Sequence, residues 1–173
     1  MRYYILTLLF FISLILQSTL FARLTVAGMK PDLVLVFVII FALLRGSGEG
    51  AAAGFIGGLL QDLMFGQNIG MNTLSKMVTG YAVGVLERKI YKENLLIPLG
   101  VLFAGTFLNE TFLYFLRFVS QGSGTAGAYA EGYFAFVRSV IFPTAVYNCC
   151  LVPFIYGRFY KSSQKGLLKK VDS

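Results

Sequence analysis

Gly46-Ser47-Gly48-Glu49-Gly50-Ala51-Ala52-Ala53-Gly54-Phe55-Ile56-Gly57-Gly58-Leu59-Leu60-Gln61-Asp62-Leu63-Met64-Phe65-Gly66-Gln67-Asn68-Ile69-Gly70 has a glycine or an aspartate at every fourth position: Gly46, Gly50, Gly54, Gly58, Asp62, Gly66 and Gly70. On an α-helix, that spacing lines residues up on one face. Ala51, Ala53 and Gly57 widen the smooth surface, and Gly80-xxx-Gly84 repeats the device further on. A face without side chains lets a second backbone approach closely, gaining dispersion and weak hydrogen bonds. Tight packing inside one bundle is the expected use, and an interface with a partner helix is the alternative. Gly46 to Gly50 reads as a tight turn before the glycine helix.

Composition points to the solvent. The chain has 173 residues, 57% apolar and 13% charged, with a mean hydropathy of +0.73. A soluble domain is about half apolar and a quarter charged. There is too little polar surface here to cover a water-facing globule, which excludes the soluble-enzyme class and disorder. The chain has no His, so His-based zinc, haem and triad chemistry is absent. The expectation is one all-α, polytopic membrane domain over 1–173, with room for about six spans of roughly 20 residues.

The apolar runs place those spans near 3–22, 31–45, 49–65, 71–87, 95–118 and 134–156, followed by a basic tail, 157–173. The first could pass for a signal peptide, but its apolar stretch is long and Leu20-Phe21-Ala22 lacks a small residue at the −3 position. A retained helix is expected. Pro31-Asp32 suits a helix start. The 12-residue run from Leu33 to Leu44 covers only about 18 Å, short of the roughly 30 Å hydrocarbon core. Ala51 to Leu60 and Met77 to Leu86 are also short. Such helices are either lengthened by polar flanks or shielded from lipid by the other spans. Gln121 to Gly127 is a flexible loop by composition.

Net charge is +7, with basic residues just outside apolar runs. They read as topological anchors that can also touch anionic lipid heads, rather than as a nucleic-acid surface. With the N-terminus inside, ten Lys and Arg fall on the inner side and five (Arg23, Lys30, Lys76, Arg117, Arg138) on the outer. Both termini are therefore expected in the cytoplasm. Seven of the ten tyrosines lie near span ends, as an interfacial belt requires.

Polar groups at membrane depth are costly and have a partner or a task. Asp62 suits either ion coupling or capping of the next helix, and capping is expected because no second acid lies near it in sequence. Asn109-Glu110 falls inside a long run, with Arg138, Lys76 and Arg117 as candidate partners for Glu110. Glu110 is either a functional acid or half of a buried ion pair fixing register. Cys149-Cys150 are adjacent, a strained geometry for a disulfide, and read as packing residues. There is no phosphate-binding loop, no His-Glu-x-x-His, no Gly-x-Ser-x-Gly and no CxxC. No catalytic group, metal or cofactor is expected.

Lys30-Pro31-Asp32-Leu33, then an apolar run, then Gly57-Gly58-Leu59-Leu60-Gln61-Asp62-Leu63 and Gly66…Gly70, resembles the bacterial rod shape-determining protein MreD family. Length, span count and the basic tail agree with it. The resemblance implies a non-enzymatic inner-membrane component of the cell-elongation machinery. Its implied partner is MreC, a single-span protein with a periplasmic domain, linked to MreB, RodA and a class B penicillin-binding transpeptidase. It implies a fold similar to the substrate-binding subunit of energy-coupling-factor transporters. Pro31, Asp32, Gly50, Gly54, Gly58, Asp62, Gly66 and Gly70 would be architectural positions, beside the intramembrane polar candidates Asn109, Glu110 and Arg138. The alternative is a vitamin-binding transporter subunit, with Asn72, Asn109, Glu110, Arg138 and Asn148 as candidate pocket groups.

Overall fold

The computed structural model describes residues 2–19, 31–65, 69–89, 96–121 and 132–151. Gly66, most of the expected 121–127 loop and the basic tail lie outside the described residues. The described elements are helices: α1 (Arg2–Thr19), α2 (Leu33–Arg45), α3 (Ser47–Phe65), α4 (Met71–Val85, continued by a 3₁₀ turn Leu86–Lys89), α5 (Leu96–Gln121) and α6 (Gly132–Leu151). Two segments are long and apolar enough by themselves to cross a membrane, Ile97–Ser120 and Gly132–Leu151. Two shorter apolar helices are Leu6–Thr19 and Leu33–Arg45.

The shortest apolar run becomes the centre of the bundle. All of α2 except Phe37 is buried, as a helix apolar on every side must be. One side of it, Leu35, Val36, Ile39, Ile40 and Leu43, packs with Val83 of α4 and with Val101 and Leu102 of α5. The other side, Val34, Val38 and Phe41, packs with Leu6, Phe10 and Leu14 of α1 and Ala53 of α3. Shielding by its neighbours accounts for the shortness of α2. Polar flanks lengthen the other two short runs instead, to 19 residues in α3 and 15 in α4.

The glycine ridge sets the α3–α4 pair. A Cβ at Gly50 would sit 2.5 Å from the carbonyl oxygen of Gly80, and one at Gly58 would sit 2.5 Å from that of Asn72. One at Gly54 would collide with the backbone of Lys76, and one at Gly84 with Ser47 and Gly46. Each step of four forward along α3 is thus met by a step of about four back along α4. The small-residue face is consumed inside the chain, backbone against backbone.

Two local readings change. The turn before α3 is confined to Gly46, whose φ of 97° is in the left-handed region; Ser47 to Gly50 are already helical. Pro31 lies outside α2, because Asp32 is the N-cap and its side chain accepts from the Leu35 N–H at 3.0 Å. In α6, Val137–Ile141 form a π-helical turn closed by the Phe142 N–H on the Val137 carbonyl. Pro143 has no N–H to return to Ser139, and this missing bond relaxes the helix there.

Candidate functional site: a polar cleft at one end of the bundle

Asp62 ends the glycine ridge and organises the turn into α4. Its Oδ2 accepts from the Gly70 N–H at 2.9 Å, the Thr73 N–H at 2.9 Å and the Thr73 hydroxyl at 2.6 Å. Its Oδ1 accepts from the Asn72 N–H at 3.3 Å and the Asn72 side-chain amide at 2.9 Å. These are the orphan donors of a helix start, met by one charge. Gly70 has φ of 100°, and a Cβ added there would meet nothing within 4 Å, so its conformation alone demands glycine. Asp62 is 2% exposed and caps α4.

A second polar cluster ties five helices together. Lys76 of α4 is fully buried, and its Nζ lies 2.8 Å from Asp32 Oδ2. Gln17 of α1 donates to Asp32 Oδ1 at 3.3 Å. The Asp32 N–H donates to Asn148 Oδ1 of α6 at 3.0 Å, and the Asn148 amide donates to the Thr106 hydroxyl of α5 at 3.2 Å. Beside it, the Ser75 hydroxyl lies 2.8 Å from Asn109 Oδ1, and the Asn109 amide donates to Glu110 Oε1 at 3.1 Å. A buried charge pair of this kind survives desolvation only when further hydrogen bonds complete it.

Gln17, Asp32 and Glu110 of this cluster line a cleft of about 390 Å³. Gln17 and Ser18, from the end of α1, form one wall; Val140 and Thr144 of α6 line another. Pro31 and Asp32 enter from the start of α2, Gln61 and Phe65 from the end of α3, and Asn72 from the start of α4. Glu110, Leu113 and Arg117 come from α5. Apart from α6, which contributes from its middle, the lining uses helix ends and the later half of α5, so the cleft belongs to the end of the bundle opposite the α2–α3 turn.

The sequence candidates divide accordingly. Pro31, Asp32 and Glu110 line the cleft, and Asp62 braces Asn72 on its wall. Gly50, Gly54 and Gly58 hold α3 against α4. Asn109 is buried behind Glu110. Arg138 is exposed and makes no ion pair among the described residues, so it is not the partner of Glu110. Lys76 makes its direct ion pair with Asp32, and it and Arg117 act on Glu110 through space. Of the candidate pocket groups, Asn72 and Glu110 line the cleft, whereas Asn109, Asn148 and Arg138 do not.

Gln17, Gln61, Ser75 and Thr106 were not singled out by the sequence. The only signal for them was a polar residue within an apolar run. Lys76, counted among the outer-side charges, is an interior one. Arg45 is also buried; its Nε is 3.5 Å from Glu49 Oε2, and its guanidinium sits 5.9 Å from the Phe41 ring centre. Among the described residues, no group of three or more His, Cys, Asp or Glu has the geometry to hold a metal. Cys149 and Cys150 are free thiols.

No curated protein and no solved structure is similar enough to match. A family model does match, and it is that of the rod shape-determining protein MreD, over residues 1–162. That span runs from the first helix through the whole cleft, and on its strength the chain belongs to the MreD family of rod shape-determining membrane proteins.

Proposed function

We propose that this chain is a non-enzymatic, six-span scaffold of the bacterial inner membrane that docks the membrane helix of MreC. In that role it would help couple MreC to MreB, RodA and a class B penicillin-binding transpeptidase during lateral peptidoglycan synthesis. The family match over nearly the whole chain is the observation that carries this reading. The enclosure of α2 supports it, since a helix shielded on all sides need not match the hydrocarbon thickness by itself. Charge supports the orientation with both termini in the cytoplasm. With the interior Lys76 and Arg45 set aside, nine basic residues fall inside and four outside.

In this reading the docking surface is not the glycine ridge, because α4 already occupies it. An incoming helix would meet larger outward side chains, such as Phe55, Leu63, Leu74 and Tyr81 on α3 and α4. Lateral recognition in lipid then rests on shape and a few polar groups. Affinity purification of the tagged chain from its native membrane in mild detergent, with mass spectrometry of its companions, tests the reading. A stoichiometric single-span protein with an outer coiled coil is expected.

The cleft favours a second reading, a small-molecule-binding subunit of an energy-coupling-factor type transporter. Its volume and convergent polar groups suit a ligand. A co-purifying integral coupling subunit with paired ATPases, or tight vitamin binding by the purified chain, would replace the scaffold reading with this one.

A further inference from the structure

The backbone of α6 is weakest beside the cleft. Val137–Ile141 form its π-helical turn. Pro143 offers no N–H to the turn before it. The Ser139 hydroxyl donates to the Ala135 carbonyl at 2.7 Å. Each of these three features loosens or bends a helix. They fall together between 135 and 143. Val140, within that stretch, and Thr144, just after it, line the cleft.

The two sides of this joint are held differently. After it, Thr144, Ala145 and Asn148 are buried. Asn148 also bonds to the Asp32 N–H and the Thr106 hydroxyl, which anchors this side to α2 and α5. Before the joint, Gly132–Phe136 buries no residue, and Phe134 is 87% exposed. The contacts that hold this arm run to α5. The Tyr133 hydroxyl lies 2.9 Å from that of Thr111, and the Tyr114 ring touches those of Tyr133 and Phe136. Thr111 and Tyr114 directly follow Glu110 and Leu113, which line the cleft. The arm therefore lies along the flank of the cleft.

We infer that Gly132–Phe136 is a side gate of the cleft, hinged over 137–143 and latched to α5 by the Tyr133–Thr111 hydrogen bond. An arm without a buried residue opens locally at little cost, while Asn148 keeps the rest of α6 in place. Swinging the arm off Thr111 moves Val140, because Val140 lies inside the hinge, whereas Thr144 stays. The cleft then widens at its α6 wall. A molecule that enters the cleft selects the open arm. The inference concerns access to the cleft, so it is independent of whether the occupant is a partner helix or a small ligand.

The test is the measurement of nitroxide–nitroxide distances by pulsed electron resonance, on the full chain in lipid nanodiscs. One pair reads the arm: Phe134→Cys with Leu63→Cys, both exposed positions, with Cys149 and Cys150 replaced by Ala. Two distance populations are expected. The minor one should grow about fivefold in Tyr133→Phe, which loses one net hydrogen bond. It should shrink in Pro143→Ala, which supplies the missing N–H. A second pair, Leu63→Cys with the native, exposed Cys150 and Cys149→Ala, reads the anchored side and should keep one distance in every variant. Labelling of Val140→Cys by a water-soluble maleimide reads the cleft itself, and should quicken about fivefold in Tyr133→Phe. A single arm distance, unmoved by both variants, overturns the inference. Equal movement of both pairs does so too, since the whole of α6 would then move against α5. An arm that moves while Val140→Cys labels at its parent rate overturns the gate. Should Tyr133→Phe not fold, the parent distances and Pro143→Ala still decide.

Discussion

Lys76 Nζ lies 2.8 Å from Asp32 Oδ2, and this contact joins the middle of α4 to the N-cap of α2. Lys76 is wholly enclosed, so its charge is satisfied here or nowhere. Removing one partner of a buried pair costs about 3–5 kcal/mol, because the other charge stays buried and uncompensated. Lys76→Met should therefore abolish most of the folded yield. Asp32→Asn keeps an N-cap acceptor but strands the ammonium, and should lose a comparable amount. The double variant removes both charges and should recover much of the loss. Size-exclusion yield and thermal unfolding in mild detergent check this, and simple additivity of the two single losses would refute a direct pair.

Asp62 should behave as a cap. Asp62→Ala leaves the Gly70 and Thr73 N–H groups without their acceptor, at about 1–3 kcal/mol for each buried donor. Asp62→Asn retains one acceptor oxygen and should cost less. Hydrogen exchange at the Asn72 and Thr73 amides reads the local effect, which should be faster in the alanine variant than in the asparagine one. A group acting mainly in ion coupling would leave those amides protected in both variants.

The features that could be read from the sequence are the local ones. Residues four apart share a helix face, so the ridge from Gly50 to Gly58 was visible as a ridge, and Asp62 could be placed just before the helix it caps. Asp32 before an apolar run signalled the start of α2. The Lys76–Asp32 pair is different, since its members are separated by two helices and nothing local links them. Lys76 lies within the expected span 71–87, where Glu110 was its candidate partner and nothing in the spacing marked Asp32. The cleft was hidden for the same reason: its lining is drawn from all six helices and their starts, and each contributes three residues at most.

Arg138 is the counter-case to Lys76. It is exposed, on the π-helical turn of α6, and pairs with nothing among the described residues. Arg138→Gln should shift the unfolding free energy by less than about 0.5 kcal/mol, the usual range for surface changes. Paired with Glu110→Gln in a double-mutant cycle, it should show no coupling. A coupling above about 0.5 kcal/mol would place the two charges in contact.

Gly54 gives the sharpest test of the α3–α4 packing. A Cβ there would overlap the Lys76 carbonyl, a backbone atom that cannot move without shifting the helix carrying the buried ammonium. Overpacking a well-packed site costs about 1–3 kcal/mol, and more where backbone must shift. Gly54→Ala should therefore reduce folded yield, and Gly54→Leu should nearly abolish it. Gly48 is the internal control. It lies in the first turn of the same helix, and a Cβ there would meet nothing within 4 Å. Gly48→Ala removes backbone freedom without a clash, so it should be neutral or stabilising by up to about 1 kcal/mol. Thermal unfolding of the two alanine variants side by side measures the difference. Equal stability would mean that α3 and α4 are not held backbone to backbone at Gly54. It would also release the glycine ridge as a surface for the partner helix, and the docking site would then move from the outward faces of α3 and α4 to the ridge itself.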